Sequence, residues 1–109
     1  MTSPVFAQDL ARRLHDTHDQ FKETTLKERR FKQADILPLI EQLKARSQYQ
    51  VSVVGQSFEG RSISMIKLGK GKTTVLLWSQ MHGDEPTATM AIFDMFNFFN
   101  QSGDEFDAL

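Results

Sequence analysis

Residues 73–86 read Thr73-Thr74-Val75-Leu76-Leu77-Trp78-Ser79-Gln80-Met81-His82-Gly83-Asp84-Glu85-Pro86. The first six are apolar or β-branched without alternation and Ser79 closes the run, the pattern of a strand covered on both faces, and such a strand belongs at the centre of a sheet. A short polar loop follows, in which Gly83 is expected to allow a sharp turn, and Pro86 suits the first turn of a helix. Strand, tight loop and helix in that order is the local grammar of an α/β protein.

The helix that follows is expected to run through Asn100. Its stretch Met90-Ala91-Ile92-Phe93-Asp94-Met95-Phe96-Asn97-Phe98-Phe99-Asn100 is interrupted only by Asp94, Asn97 and Asn100, which share one narrow stripe. A helix so apolar around its circumference belongs inside a larger body than 109 residues readily build. The expectation is therefore that the chain is part of a longer domain. The tail from Gln101 to Leu109 is acidic and turn-like.

Upstream of residue 73 the periodicity changes twice. Tyr49, Val51 and Val53 alternate with Gln50 and Ser52, and a second extended run covers Ile63 to Leu68, with Glu59-Gly60 between them supplying the turn of a hairpin-like pair. Gly69-Lys70-Gly71-Lys72 is a further turn. Before Tyr49 the spacing is helical. Asp35 is a plausible cap for a helix with Pro38 in its first turn, Ile36, Leu37, Leu39, Ile40 and Leu43 on its apolar face, and Lys44 and Arg46 at its negative end. Ser3-Pro4 reads as the start of a first helix with Phe6, Leu10 and Leu14 on one face, fraying beyond His15.

Composition narrows the function classes. Thirteen Lys and Arg against 14 Asp and Glu give a net charge of −1, so nothing favours nucleic acid or an anionic membrane as partner. With no cysteine, any metal must be held by His, Asp or Glu. The N-terminus lacks the apolar stretch of a secretory signal, and no run of residues has the length of a membrane span, which makes a cytoplasmic address the expectation.

His82 and Glu85 carry the chemistry. An imidazole and a carboxylate three residues apart, at a strand's exit and a helix's start, can converge on one zinc ion, and in open α/β sheets ligands sit beyond the carboxyl ends of strands. On spacing alone the plainer reading comes first: a loop histidine in a hydrogen bond, and a glutamate drawn to the positive end of a helix.

Resemblance shifts that balance. Gly55-Gln56-Ser57-Phe58-Glu59-Gly60-Arg61-Ser62-Ile63, then an apolar strand, then His82-Gly83-Asp84-Glu85 before a helix, resembles the opening of the zinc metallocarboxypeptidase catalytic domain over residues 49 to 100. The resemblance implies an α/β/α fold around a mixed sheet, one catalytic zinc ion, and removal of C-terminal residues from peptides with a free C-terminus. It also implies that His82 and Glu85 are the first two zinc ligands, and that 49–109 is the N-terminal portion of the catalytic domain; residues 1–48, a helical segment by their periodicity, lie outside the resemblance. The family's second zinc histidine, its carboxylate-binding arginine and asparagine and its late general base have no counterparts here, so no catalytic residue is assigned. The missing C-terminal part of the domain would supply them, and the chain alone is expected to be an inactive fragment. Glu59-Gly60-Arg61 is read as structural.

Other features carry less. His15 and His18, spaced three apart beside Asp16 and Asp19, suit a solvated helix end better than a second metal site. Two rival functions remain open: a related zinc amidohydrolase acting on N-acyl amino acids, and a non-enzymatic interaction module docking through the last helix.

Overall fold

A computed structural model describes residues 4–101. The Ser3 cap, the Phe6 side chain and the tail 102–109 fall outside the described residues and side chains. The elements run α1 (Pro4–Thr17), a 3₁₀ turn at His18–Gln20, α2 (Gln33–Lys44), β1 (Tyr49–Gln56), β2 (Ser62–Leu68) and α3 (Thr87–Phe99). This is a mixed α/β chain. It divides into two compact units, one from the described parts of Met1–Arg29 and Trp78–Ala108, the other from Arg30–Leu77.

The second unit is a hairpin with a helix. β1 and β2 pair antiparallel, Tyr49 opposite Leu68 and Val51 opposite Ile66, with the register shifted between Val53 and Gly55. The connection is a closed loop. Gly60 N–H donates to the Ser57 carbonyl at 2.9 Å and Ser57 N–H to the Arg61 carbonyl at 2.8 Å, while Gly60 sits at φ 74, where a Cβ would be strained. Ser57 Oγ accepts from Arg61 N–H at 3.1 Å, and the Arg61 guanidinium pairs with Glu59. The Glu59-Gly60-Arg61 run is thus the tip of a turn. A two-stranded hairpin is marginal without a covering layer, and α2 supplies one by packing on β1. Leu39, Leu43 and Tyr49 are buried there, and Gln33 Nε2 donates to the Ser62 carbonyl at 3.0 Å. The alternation foreseen for β1 holds at its start, with Tyr49 buried and Val51 half-buried, but Val53 is exposed. Tyr49, Val51 and Val53 share one face, and burial on it falls off from Tyr49 towards Val53.

α2 starts three residues earlier than a cap at Asp35 would place it. Asp35 is its third residue, not its cap, and its carboxylate accepts the Lys32 N–H at 2.6 Å. That places Pro38 in the second turn, where its missing N–H leaves one helical bond unmade.

The largest departure is Thr73–Ser79. These residues form no strand, and Leu76 is 69 % and Trp78 64 % exposed. The described sheet has two strands only, and this segment pairs with neither; a strand's backbone groups stay with solvent unless a partner takes them.

The first unit joins residues distant in sequence. In α3, Thr89 and Phe93 are buried while Met95 remains exposed. Phe98 meets Phe21 edge to face, with centroids 5.3 Å apart. The polar stripe of α3 has partners in the turn at residues 18–23. Asp94 accepts from Glu23 N–H at 2.7 Å and contacts His18 Nε2 at 3.2 Å. The Asn97 amide donates to the Phe21 carbonyl at 3.0 Å. Among the described residues no helix is long and apolar enough to cross a membrane.

Candidate metal site

His82 and Glu85 lie in the loop ahead of α3, between the irregular segment ending at the half-buried Ser79 and the buried Pro86 at the helix start. The loop folds on itself, with Glu85 N–H donating to the His82 carbonyl at 3.2 Å. That turn carries the two side chains to the same side. His82 Nδ1 and Glu85 Oε2 are 3.1 Å apart, and both side chains are exposed.

The spacing suits a shared ion. With zinc–nitrogen and zinc–oxygen bonds near 2.0–2.2 Å, two donors at adjacent corners of a tetrahedron are separated by roughly 3.3–3.5 Å. Small rotations of two exposed side chains would close that difference. The donor chemistry also fits, since imidazole nitrogen and carboxylate oxygen are ordinary zinc ligands. In the geometry seen, the same atoms are within hydrogen-bonding distance of each other. Among the described residues no third His, Asp or Glu joins the pair, and Asp84 is exposed.

Gly83, expected to make the sharp turn, adopts no positive φ. The left-handed residue of this loop is Gln80, at φ 60. A side-chained residue pays about 1–2 kcal/mol there, and the local compensation is visible. Gln80 Nε2 donates to Thr89 Oγ1 at 3.2 Å, and Thr89 Oγ1 donates to Ser79 Oγ at 2.7 Å. Thr89 in α3 is therefore tied to the two residues that precede Met81 and His82. The sequence held one signal for this. Thr89 is a polar residue four positions before Phe93, on the helix face that burial selects.

His15 and His18 do not form a pair of ligands. His15 Nδ1 contacts Asp16 at 3.2 Å, and His18 is engaged with Asp94. Near them Lys22 pairs with Asp19, the hydrogen bond and charge lowering the Asp19 carboxyl and raising the Lys22 ammonium from their ordinary pKa values.

No curated protein and no solved structure matches the chain. A family model described as zinc carboxypeptidase matches residues 36–105, which is more than half of the 109 residues and includes the hairpin, the loop and α3.

Proposed function

The chain belongs to the zinc carboxypeptidase family, and from that membership we propose that it contributes His82 and Glu85 as zinc ligands to a metallocarboxypeptidase that cleaves the last residue from peptides with a free C-terminus. The observation that carries the reading is the 3.1 Å approach of His82 Nδ1 to Glu85 Oε2, inside the stretch that matches the family. The division into a helical segment, 1–48, and the start of a catalytic domain, 49–109, is part of the same proposal.

Within that reading the chain's residues have distinct tasks. His82 and Glu85 would hold the ion, and their exposure leaves room for further ligands and a peptide carbonyl. Bound zinc supplies Lewis acidity, which polarises a carbonyl and eases deprotonation of water. Pro86 and α3 fix where Glu85 stands. A catalytic domain that includes this segment still needs a further ligand, a carboxylate-binding group and a base. The chain by itself therefore holds zinc weakly and turns over no peptide, because two donors supply only part of a coordination shell.

A zinc titration of the 109-residue chain, competed against a chromophoric chelator, tests the ligand assignment. Weak binding that disappears in His82→Ala and in Glu85→Gln is the expected result. Binding unchanged by either substitution would overturn it. Peptides with free C-termini assayed beside N-acyl amino acids, on a catalytic domain containing the segment, separate the peptidase from an amidohydrolase.

A further inference from the structure

Thr89 is 5 % exposed and stands four residues after Glu85, in the first turn of α3. A helical threonine commonly turns its hydroxyl back to the carbonyl four residues earlier. Here the hydroxyl leaves the helix: it accepts from Gln80 Nε2 at 3.2 Å and donates to Ser79 Oγ at 2.7 Å. Gln80 is the residue held at φ 60, and only Met81 separates it from His82. Fixing Gln80 fixes where the His82 backbone begins, while Pro86 and α3 fix Glu85 from the other side. One buried hydroxyl thus joins both approaches to the pair.

We propose that Thr89 is a positioning residue for the metal pair, holding residues 79–82 in the conformation that turns His82 Nδ1 towards Glu85 Oε2. The proposal rests on the zinc-ligand reading of His82 and Glu85. Its physical content is preorganisation. A loop already tied to the helix loses less conformational freedom when an ion binds, and groups that orient metal ligands contribute to affinity without touching the metal.

The test uses the 109-residue chain and two readouts. Thr89→Val keeps the shape and removes both hydrogen bonds, Thr89→Ser restores the hydroxyl, and Gln80→Gly keeps the left-handed backbone while removing the amide. Without metal, Thr89→Val is expected to speed hydrogen exchange at the Glu85 amide several-fold while the amides around Phe93 stay protected, and Thr89→Ser to return the rate to that of the parent. With zinc, Thr89→Val is expected to weaken affinity about tenfold, Gln80→Gly to weaken it by a smaller factor, and Thr89→Ser to restore it. If His82→Ala abolishes zinc binding while Thr89→Val changes neither readout, the positioning role is overturned and the ligand assignment stands. If His82→Ala leaves zinc affinity unchanged, the ligand assignment falls and this proposal falls with it. Should Thr89→Val lose helical circular dichroism, Gln80→Gly decides, and unaltered affinity in that variant overturns the proposal.

Discussion

Ser62–Leu68 and Thr73–Ser79 are separated by one short turn, and their fates differ. The first, Ser-Ile-Ser-Met-Ile-Lys-Leu, has two serines and a lysine and forms β2. The second, Thr-Thr-Val-Leu-Leu-Trp-Ser, is richer in apolar and β-branched residues and forms no strand. Propensity favours the one that stays irregular. The difference lies in partners. β2 meets β1 across a turn closed by Gly60, so its pairing costs little loop entropy and its ladder is complete. Thr73–Ser79 pairs with neither described strand. Strand formation is a property of pairs, and a sequence announces a strand's suitability without announcing its neighbour.

The sharpest way to break this comparison is to remove packing where the paired region depends on it. Leu43 is 4 % exposed on α2, which covers β1, and Leu43→Ala is expected to cost about 2–5 kcal/mol through lost burial and a residual cavity. Urea unfolding followed by far-ultraviolet circular dichroism measures it. A cost under about 0.5 kcal/mol would show that the hairpin needs no helix above it. Next in size is the turn. Gly60→Ala forces a Cβ into φ 74 and is expected to cost about 1–2 kcal/mol. Gly83→Ala, at a glycine with neither a positive φ nor an atom within 4 Å of the new Cβ, should be neutral within about 0.5 kcal/mol. Equal effects at the two glycines would mean that the hairpin turn is not what closes the ladder.

Legibility followed the same division. The three helices, the hairpin and its glycine turn were readable because their determinants lie within a few residues: apolar spacing, proline near a start, Glu59-Gly60 between two extended runs. The convergence of His82 on Glu85 was readable for that reason too, since a spacing of three at a turn can bring two side chains together. Asp94 and Asn97 were visible as a stripe, but their partners at His18, Phe21 and Glu23 are more than 70 residues away in sequence, and no local period encodes them. Asp35 carried the right chemistry at the wrong position. A carboxylate can serve a helix start as cap or from inside the first turn, and the choice depends on where the chain enters. Gln80 was missed because its left-handed conformation is sustained by Thr89 rather than by its own residue type.

A smaller effect distinguishes the core of the hairpin unit through pH. Burial pushes the Tyr49 hydroxyl above its ordinary pKa of 10.0, with Gln48 and Arg46 opposing in part. The folded chain therefore keeps this proton to higher pH than the unfolded chain does. The associated stability is complete below about pH 10 and is lost as pH rises through the raised folded value. Tyr49 is the one tyrosine of the chain, so tyrosinate absorbance reads it directly. The parent should lose more stability than Tyr49→Phe between pH 9 and pH 11, and a parallel decline would place Tyr49 in water rather than in the core.

The smallest expected effect tests the unpaired segment itself. Leu76 is 69 % exposed, so Leu76→Ala removes methyl groups that already face solvent and is expected to change stability by less than about 0.5 kcal/mol. Trp78, the one tryptophan, should emit as a water-exposed indole and be quenched readily by acrylamide. These two readings are independent, one energetic and one spectroscopic, and they sharpen the contrast with Leu43 from opposite directions. A Leu76→Ala cost approaching that of Leu43→Ala, together with blue-shifted and protected emission, would mean that Thr73–Ser79 is packed in the free chain. Partner supply would then not be what separates it from β2. If both stay near their solvent values, and Trp78 becomes protected only within a catalytic domain that includes the segment, the apolar run is a strand whose formation waits on a neighbour.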